Sequence, residues 1–186
     1  MSRVAKPPTP GRLRRRALYY LERFAASRAR LRLVLRRRAL RDAAALDLPP
    51  EPVAAAIEAL LDDLQRLGLL DDRAFADARA RSLAAKGRPP RRIAQKLAAE
   101  GIGPALVEAA LERLAEDQGA SPAELELAAA ITFARRRRLG PFAPADDAVI
   151  PQDKALAAFA RAGFRLEVAR RVLKTRAEEL DDLRTH

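Results

Sequence analysis

One pattern recurs at a fixed offset of 62 residues, from Gly101 to Gly163, and constrains the fold more than any other feature. Leu97-Ala98-Ala99-Glu100-Gly101-Ile102 is answered by Phe159-Ala160-Arg161-Ala162-Gly163-Phe164, and Val107, Ala110 and Leu111 by Ala169, Val172 and Leu173. Apolar side chains three and four apart share one face of a helix, and glycine just beyond such a run supplies the conformation that ends it. The repeated unit therefore reads as helix, glycine turn, helix.

The same grammar runs along the chain. Leu18, Leu21 and Phe24 form an early stripe, and Leu31, Val34 and Leu35 form another, with Ser27 placed to cap it. Val53, Ile57, Leu60, Leu61, Leu64 and Leu67 make the clearest amphipathic helix, closed by Gly68. Asp71 or Asp72 is placed to cap a helix bearing Phe75, Ala78 and Leu83, which stops at Gly87. Pro89 or Pro90 opens the next, and Gly103-Pro104 a third. Ser121-Pro122 followed by Glu124 is a capping box with proline at the first helical position. That helix runs to Arg135, Arg136, Arg137 and Arg138, before a Pro/Asp-rich loop over 140–151 and two last helices.

Period-two runs of branched or aromatic residues are missing, which argues against sheet. Aromatics are 4% of the chain and much of its apolar content is alanine, so the core must be thin and built helix to helix. The expected fold is all-α: three tandem three-helix repeats in an elongated, curved array, because each unit is too small to bury a core alone. The expected boundaries are a flexible tail at 1–11, repeats at 12–68, 69–119 and 120–175, and a C-terminal tail at 176–186.

The net charge is +11, which favours an anionic partner, nucleic acid or a nucleoprotein before a membrane surface. The charge comes in blocks: residues 1–41 carry a net +13, 42–72 a net −7, 73–100 a net +6 and 101–134 a net −5. Basic helices stacked in register would form one face; equally, such blocks pair neighbouring helices within a molecule. Tyr19 and Tyr20, beside Arg14–Arg16, are candidates for stacking on exposed bases, although a thin core would claim at least one of them.

Catalysis finds no support. There is no cysteine, and His186 is the only histidine, so Ser27, Ser82 and Ser121 have no histidine to activate them. The glycines are isolated, not gathered in a phosphate loop. Asp62-Asp63, Asp71-Asp72, Asp146-Asp147 and Asp181-Asp182 are adjacent pairs, and neighbours on one helix point to different sides instead of converging on a metal. The expectation is a protein that is not an enzyme and needs no cofactor. The helix-turn-helix reading of residues 89–114 fails on charge, because its second helix carries Glu108, Glu112 and Glu116. No apolar run approaches membrane-spanning length and no signal-peptide core follows the basic N-terminal residues, so a cytoplasmic protein is expected.

The segment Gly68-Leu69-Leu70-Asp71-Asp72-Arg73-Ala74-Phe75-Ala76 resembles the signature of the RecX family. So does the basic helix Arg91-Arg92-Ile93-Ala94-Gln95-Lys96-Leu97 ending in Gly101-Ile102, and the closing element with Gly163-Phe164. Ala17–Leu21, Ser27, Leu31 and Leu35 are similar to the first unit of that family, and the likeness covers roughly residues 14–175.

The resemblance implies a three-repeat helical regulator that lies in the groove of the RecA–single-stranded DNA filament and inhibits ATP hydrolysis and strand exchange. It would do so as a monomer, without a membrane. Residues expected to face the partner are Arg36, Arg37, Arg38, Arg91, Arg92, Lys96 and Arg135–Arg138. The alternative is a helical-repeat protein that binds single-stranded DNA or RNA directly.

Overall fold

A computed structural model describes residues 5–144 and 150–180. Among them every regular element is helical. In chain order these are α1 (Pro10–Leu21), α2 (Arg28–Ala44), α3 (Pro50–Arg66), α4 (Asp72–Ala84), α5 (Pro90–Ala99), α6 (Pro104–Asp117), α7 (Pro122–Arg137), a short 3-10 turn (Gly140–Phe142), α8 (Gln152–Ala162) and α9 (Leu166–Lys174). The helices gather into two compact units, Met1–Ala76 with Ala99–Leu106, and Asp77–Ala98 with Val107–His186. The division passes through α4, α5 and α6.

In the first unit α2 packs on α3, and α1 on both. The sequence sets which faces meet. Val53, Ile57, Leu60, Leu61 and Leu64 point inward from α3 against Leu31, Leu35 and Ala39 of α2 and Leu13 and Ala17 of α1. Alanine at 17, 39 and 43 lets the backbones approach closely while larger side chains interdigitate on either side. Leu67 departs from the expected stripe: it follows the last turn of α3 and is exposed. Phe24 likewise lies beyond the end of α1, exposed, and stacks on Tyr20 at 5.1 Å between ring centroids.

The second unit has a different filling. Phe133 of α7, Phe159 of α8 and Phe164 meet with centroids 5.1–5.4 Å apart. Around them lie Ala130, Ile131, Ala134, Ala155, Ala169 and Val172. Edge-to-face contact of this kind adds roughly 0.5–1.5 kcal/mol per pair beyond area burial. Four of the six phenylalanines, counting Phe142, lie in or against this core, so the chain's sparse aromatic content is concentrated rather than spread.

The termini of the helices follow the local sequence. Ser27 Oγ accepts from the Arg30 amide at 3.1 Å, capping α2. At α7 the box is complete: Ser121 Oγ accepts from the Glu124 amide at 3.3 Å, and the Ser121 amide donates to the Glu124 carboxylate at 2.7 Å. Gly101 and Gly163 both have positive φ, +83° and +93°, and both precede a buried apolar residue, Ile102 and Phe164. The offset of the sequence repeat is thus an equivalence of structure.

Two expectations for the ends are corrected. The segment 1–11, expected to be a flexible tail, gives way to helix already at Pro10, because proline suits the first helical turn, where its missing amide costs nothing. The segment expected to be a C-terminal tail from 176 contains Leu180, fully buried in the second core. Asp146-Asp147 and Asp181-Asp182 lie outside the described residues.

Candidate functional site

The Asp71-Asp72 turn divides its labour. Asp71 Oδ1 accepts from the amides of Arg73 at 2.8 Å and Ala74 at 3.0 Å, capping α4. Asp72 reaches back 44 residues and accepts from the Arg28 amide at 2.6 Å, at the first residue of α2. Each carboxylate meets the positive end of a helix, which favours negative charge. One turn therefore ties the start of α4 to the start of α2. Leu70, next to it, is buried in the first core, whereas Leu69 is half exposed.

Arg28 and Arg32 on α2 converge on Glu58 of α3 at 3.0 and 2.6 Å, and Arg28 also reaches Asp62 at 2.7 Å. The hydrogen bond from Arg32, then that from Arg28, holds the Glu58 carboxyl below its usual range despite some desolvation. In the second unit Arg113 of α6 grips Asp77 of α4 with two bonds, 2.9 and 2.5 Å, which raises the arginine pKa further. Complementary blocks of charge thus join neighbouring helices in part. The aspartate pairs at 62–63 and 71–72 are spent on ion pairs and caps, and among the described residues no group of three or more metal-ligating side chains occurs.

The arginines not consumed in this way are the candidates for a partner. In the first unit Arg36 and Arg37 are exposed on α2, while Arg38 donates to Asp42 at 3.2 Å. Asp42 is 8% exposed, so Arg38 is held in place and its charge is largely compensated. In the second unit Arg91 is exposed on α5. Arg92 is not a simple surface charge: it donates to the carbonyl of Arg161 at 2.9 Å and to Gln95 at 3.0 Å, and its stem lies against Gly163. Lys96 is exposed on the same helix but engaged in an interaction of its own.

Arg135–Arg138 end α7, where cations suit the helix dipole. Arg135 lies over the Phe142 ring at 4.8 Å, Arg136 donates to the Lys86 carbonyl at 3.2 Å, and Arg138 takes the left-handed conformation that closes the helix. The tetra-arginine run is therefore partly structural.

Two features were not anticipated from the sequence. Glu126, buried on α7, accepts from the Arg165 amide at 2.9 Å and so caps α9 from across the second unit. Its only signal was a charge within an otherwise apolar helix face. The other is a groove of about 720 Å³ in the first unit, formed by residues 6–8, α1 and α2. Its lining includes Lys6, Arg12, Arg15, Tyr19, Val34 and Arg38. A smaller hollow of about 300 Å³, lined by Val34, Arg37, Arg38 and Arg41, shares two of its walls.

Helical triplets, glycine turns repeated at a fixed offset and arginine-bearing exposed faces define a class of all-α helical-repeat protein. Residues 71–111 match the family model described as the second three-helix domain of RecX. The chain is 40% identical over 166 residues to "Regulatory protein RecX" of Myxococcus xanthus, covering 89% of this chain and 86% of that one. It is 31% identical over 170 residues to the protein of the same name from Agrobacterium fabrum, covering 91% and 86%. The crystal structure of RecX from Lactobacillus salivarius superposes with a TM-score of 0.60 at 21% identity, over 92% of this chain and 96% of that one, which speaks for the fold. The chain belongs to the RecX family of regulatory proteins.

Proposed function

We propose that this protein binds the RecA–single-stranded DNA filament and restrains it, inhibiting ATP hydrolysis and strand exchange. Membership of the RecX family carries this reading, and the surplus of exposed arginines supports it. A filament of recombinase and single-stranded DNA is polyanionic, and each phosphate contact releases counterions. Arginines that meet acidic recombinase side chains instead contribute orientation and encounter rate. Arg36, Arg37 and Arg91 are the residues we assign to the partner, together with those of Arg135–Arg138 that the end of α7 does not use. Arg92 positions the second unit internally.

The test is a RecA ATPase assay on single-stranded DNA, titrated with wild type and with Arg36→Gln/Arg91→Gln across a salt series. Wild type should inhibit, the variant should inhibit less, and the gap should narrow as salt rises. Both variant positions are exposed, so the fold should hold. Arg92→Gln is the contrasting control and should lower stability as well. Equal inhibition by wild type and the double variant at every salt concentration removes these arginines from the interface. No inhibition by wild type refutes the proposal.

A further inference from the structure

The groove of the first unit has the makings of a binding site for the strand itself. Its cations come from three separate segments, Lys6, then Arg12, Arg15 and Arg16 of α1, then Arg38 of α2, and Arg37 and Arg41 line the smaller hollow that adjoins it at Val34 and Arg38. Its floor is apolar, with Leu13, Val34, Pro7 and Pro8. Tyr19 stands at this groove 55% exposed, with the Arg23 guanidinium 4.3 Å from its ring centroid. Tyr20, its neighbour, is instead packed on the first core. The two adjacent tyrosines thus have different fates, one structural and one presented to solvent.

The single carboxylate in the lining, Asp42, is nearly buried and engaged by Arg38. It therefore does not offset the outer arginines. Arg15 and Arg41 are exposed and make no ion pair among the described residues. The first turn of α1 carries no acidic residue, so its positive end adds to the same field.

We propose that the groove between residues 6–8, α1 and α2 holds a stretch of single-stranded nucleic acid, with a base stacked on Tyr19 and phosphates paired to Arg15 and Arg41. This deepens the function proposed above and rests on it, since the strand is the one within the filament. Guanidinium groups alone would serve an acidic peptide equally well. The exposed aromatic ring and the apolar floor favour a partner that alternates flat apolar faces with negative charges, which is the chemistry of an unpaired strand.

The chain supplies its own probe, because it has two tyrosines and no tryptophan. In Tyr20→Phe protein, short oligothymidine should quench the remaining tyrosine emission. In fluorescence anisotropy Tyr19→Leu should lower affinity for labelled oligothymidine about tenfold, while Tyr19→Phe stays close to wild type. Arg15→Gln/Arg41→Gln should reduce the slope of log affinity against log salt by about 1.4, at about 0.7 per lost phosphate contact on a single strand. Circular dichroism of each variant checks that the fold is kept.

The recombinase ATPase is measured alongside. If wild type binds oligothymidine through Tyr19 but leaves the ATPase untouched, the filament proposal fails while the groove stands. If wild type inhibits the ATPase but the groove variants bind oligothymidine as wild type does, the groove proposal is overturned. No binding of wild type to oligothymidine at low salt overturns it too. So does quenching by a poly-glutamate peptide without quenching by oligothymidine, which would make the groove a site for acidic protein.

Discussion

Gly101 and Gly163 occupy equivalent turns with nearly the same backbone, yet they should respond differently to the same substitution. Alanine at either position forces a side chain into left-handed backbone, at about 1–2 kcal/mol. Beyond that the surroundings part. A methyl at Gly101 overlaps the Cβ of Ala29, which is fixed to the backbone of α2 and has no rotamer to escape into. Such overpacking costs about 1–3 kcal/mol more. A methyl at Gly163 meets the Arg92 side chain at 2.7–3.1 Å, which unlike the Ala29 methyl can move, giving up its hydrogen bond to the Arg161 carbonyl at about 0.5–1.5 kcal/mol.

Gly101→Ala should therefore destabilise by about 2–5 kcal/mol and Gly163→Ala by about 1.5–3.5 kcal/mol, worked from these contributions. Urea unfolding followed by helical circular dichroism measures both. Ala29→Gly should restore much of the loss in the Gly101→Ala background, with a coupling of about 1–3 kcal/mol in a double-mutant cycle. Equal losses at the two glycines, or no rescue by Ala29→Gly, would refute the steric argument.

The two aspartates of the 71–72 turn should separate in the same assay. Asp71→Ala should cost about 1 kcal/mol, the usual loss of an N-cap, whereas Asp72→Ala should cost more because it leaves the partly buried Arg28 amide without its partner. If either change abolishes ATPase inhibition without moving the urea midpoint, the turn contacts the partner rather than the fold. Glu58 should make stability depend on acid. Its folded pKa lies below the ordinary 4.5, so its contribution is fully present above that pH and fades as pH falls through the lower folded value. Glu58→Gln should flatten this acid limb in unfolding experiments across pH 2–6; an unchanged limb would show that the pair with Arg32 is electrostatically idle.

Helix positions and caps were readable because they are local. Ser121 and Glu124 are three residues apart, and the pattern of inward α3 residues repeats within a few turns. Leu67 shows where that logic stops, since periodicity continues past the point at which the helix leaves the core. The carboxylate functions were only half readable. Asp71 was one of two candidates for a cap, but nothing near Asp72 in sequence betrays a partner 44 residues away. Glu126 and Arg92 share that difficulty, because a charge that closes a distant helix looks like any other surface charge until the chain is folded. For the proposed binding surface, the sequence offers a list of arginines, and the fold separates Arg36 and Arg91 from Arg38 and Arg92, which are held by contacts of their own. At the groove, Tyr19 beside Arg15 was legible as a tyrosine next to arginines, but the walls from residues 6–8 and α2 were not, since those segments share no pattern with α1.

Two helix-end carbonyls are closed by side chains much earlier in the chain: Glu100 by Ser27 Oγ at 2.5 Å and Arg161 by Arg92 at 2.9 Å. In each pair the donor precedes its acceptor, by 73 and 69 residues. During synthesis the donor of each pair has already emerged when the helix needing it is completed. A chain shortened from its C-terminal side leaves a hydroxyl or a guanidinium facing water, which hydrates both at little cost. A chain lacking its first helices strands a carbonyl at the end of α5 whose partner no longer exists. The start of α2 has the reverse dependence, since its Arg28 amide waits for Asp72, 44 residues later.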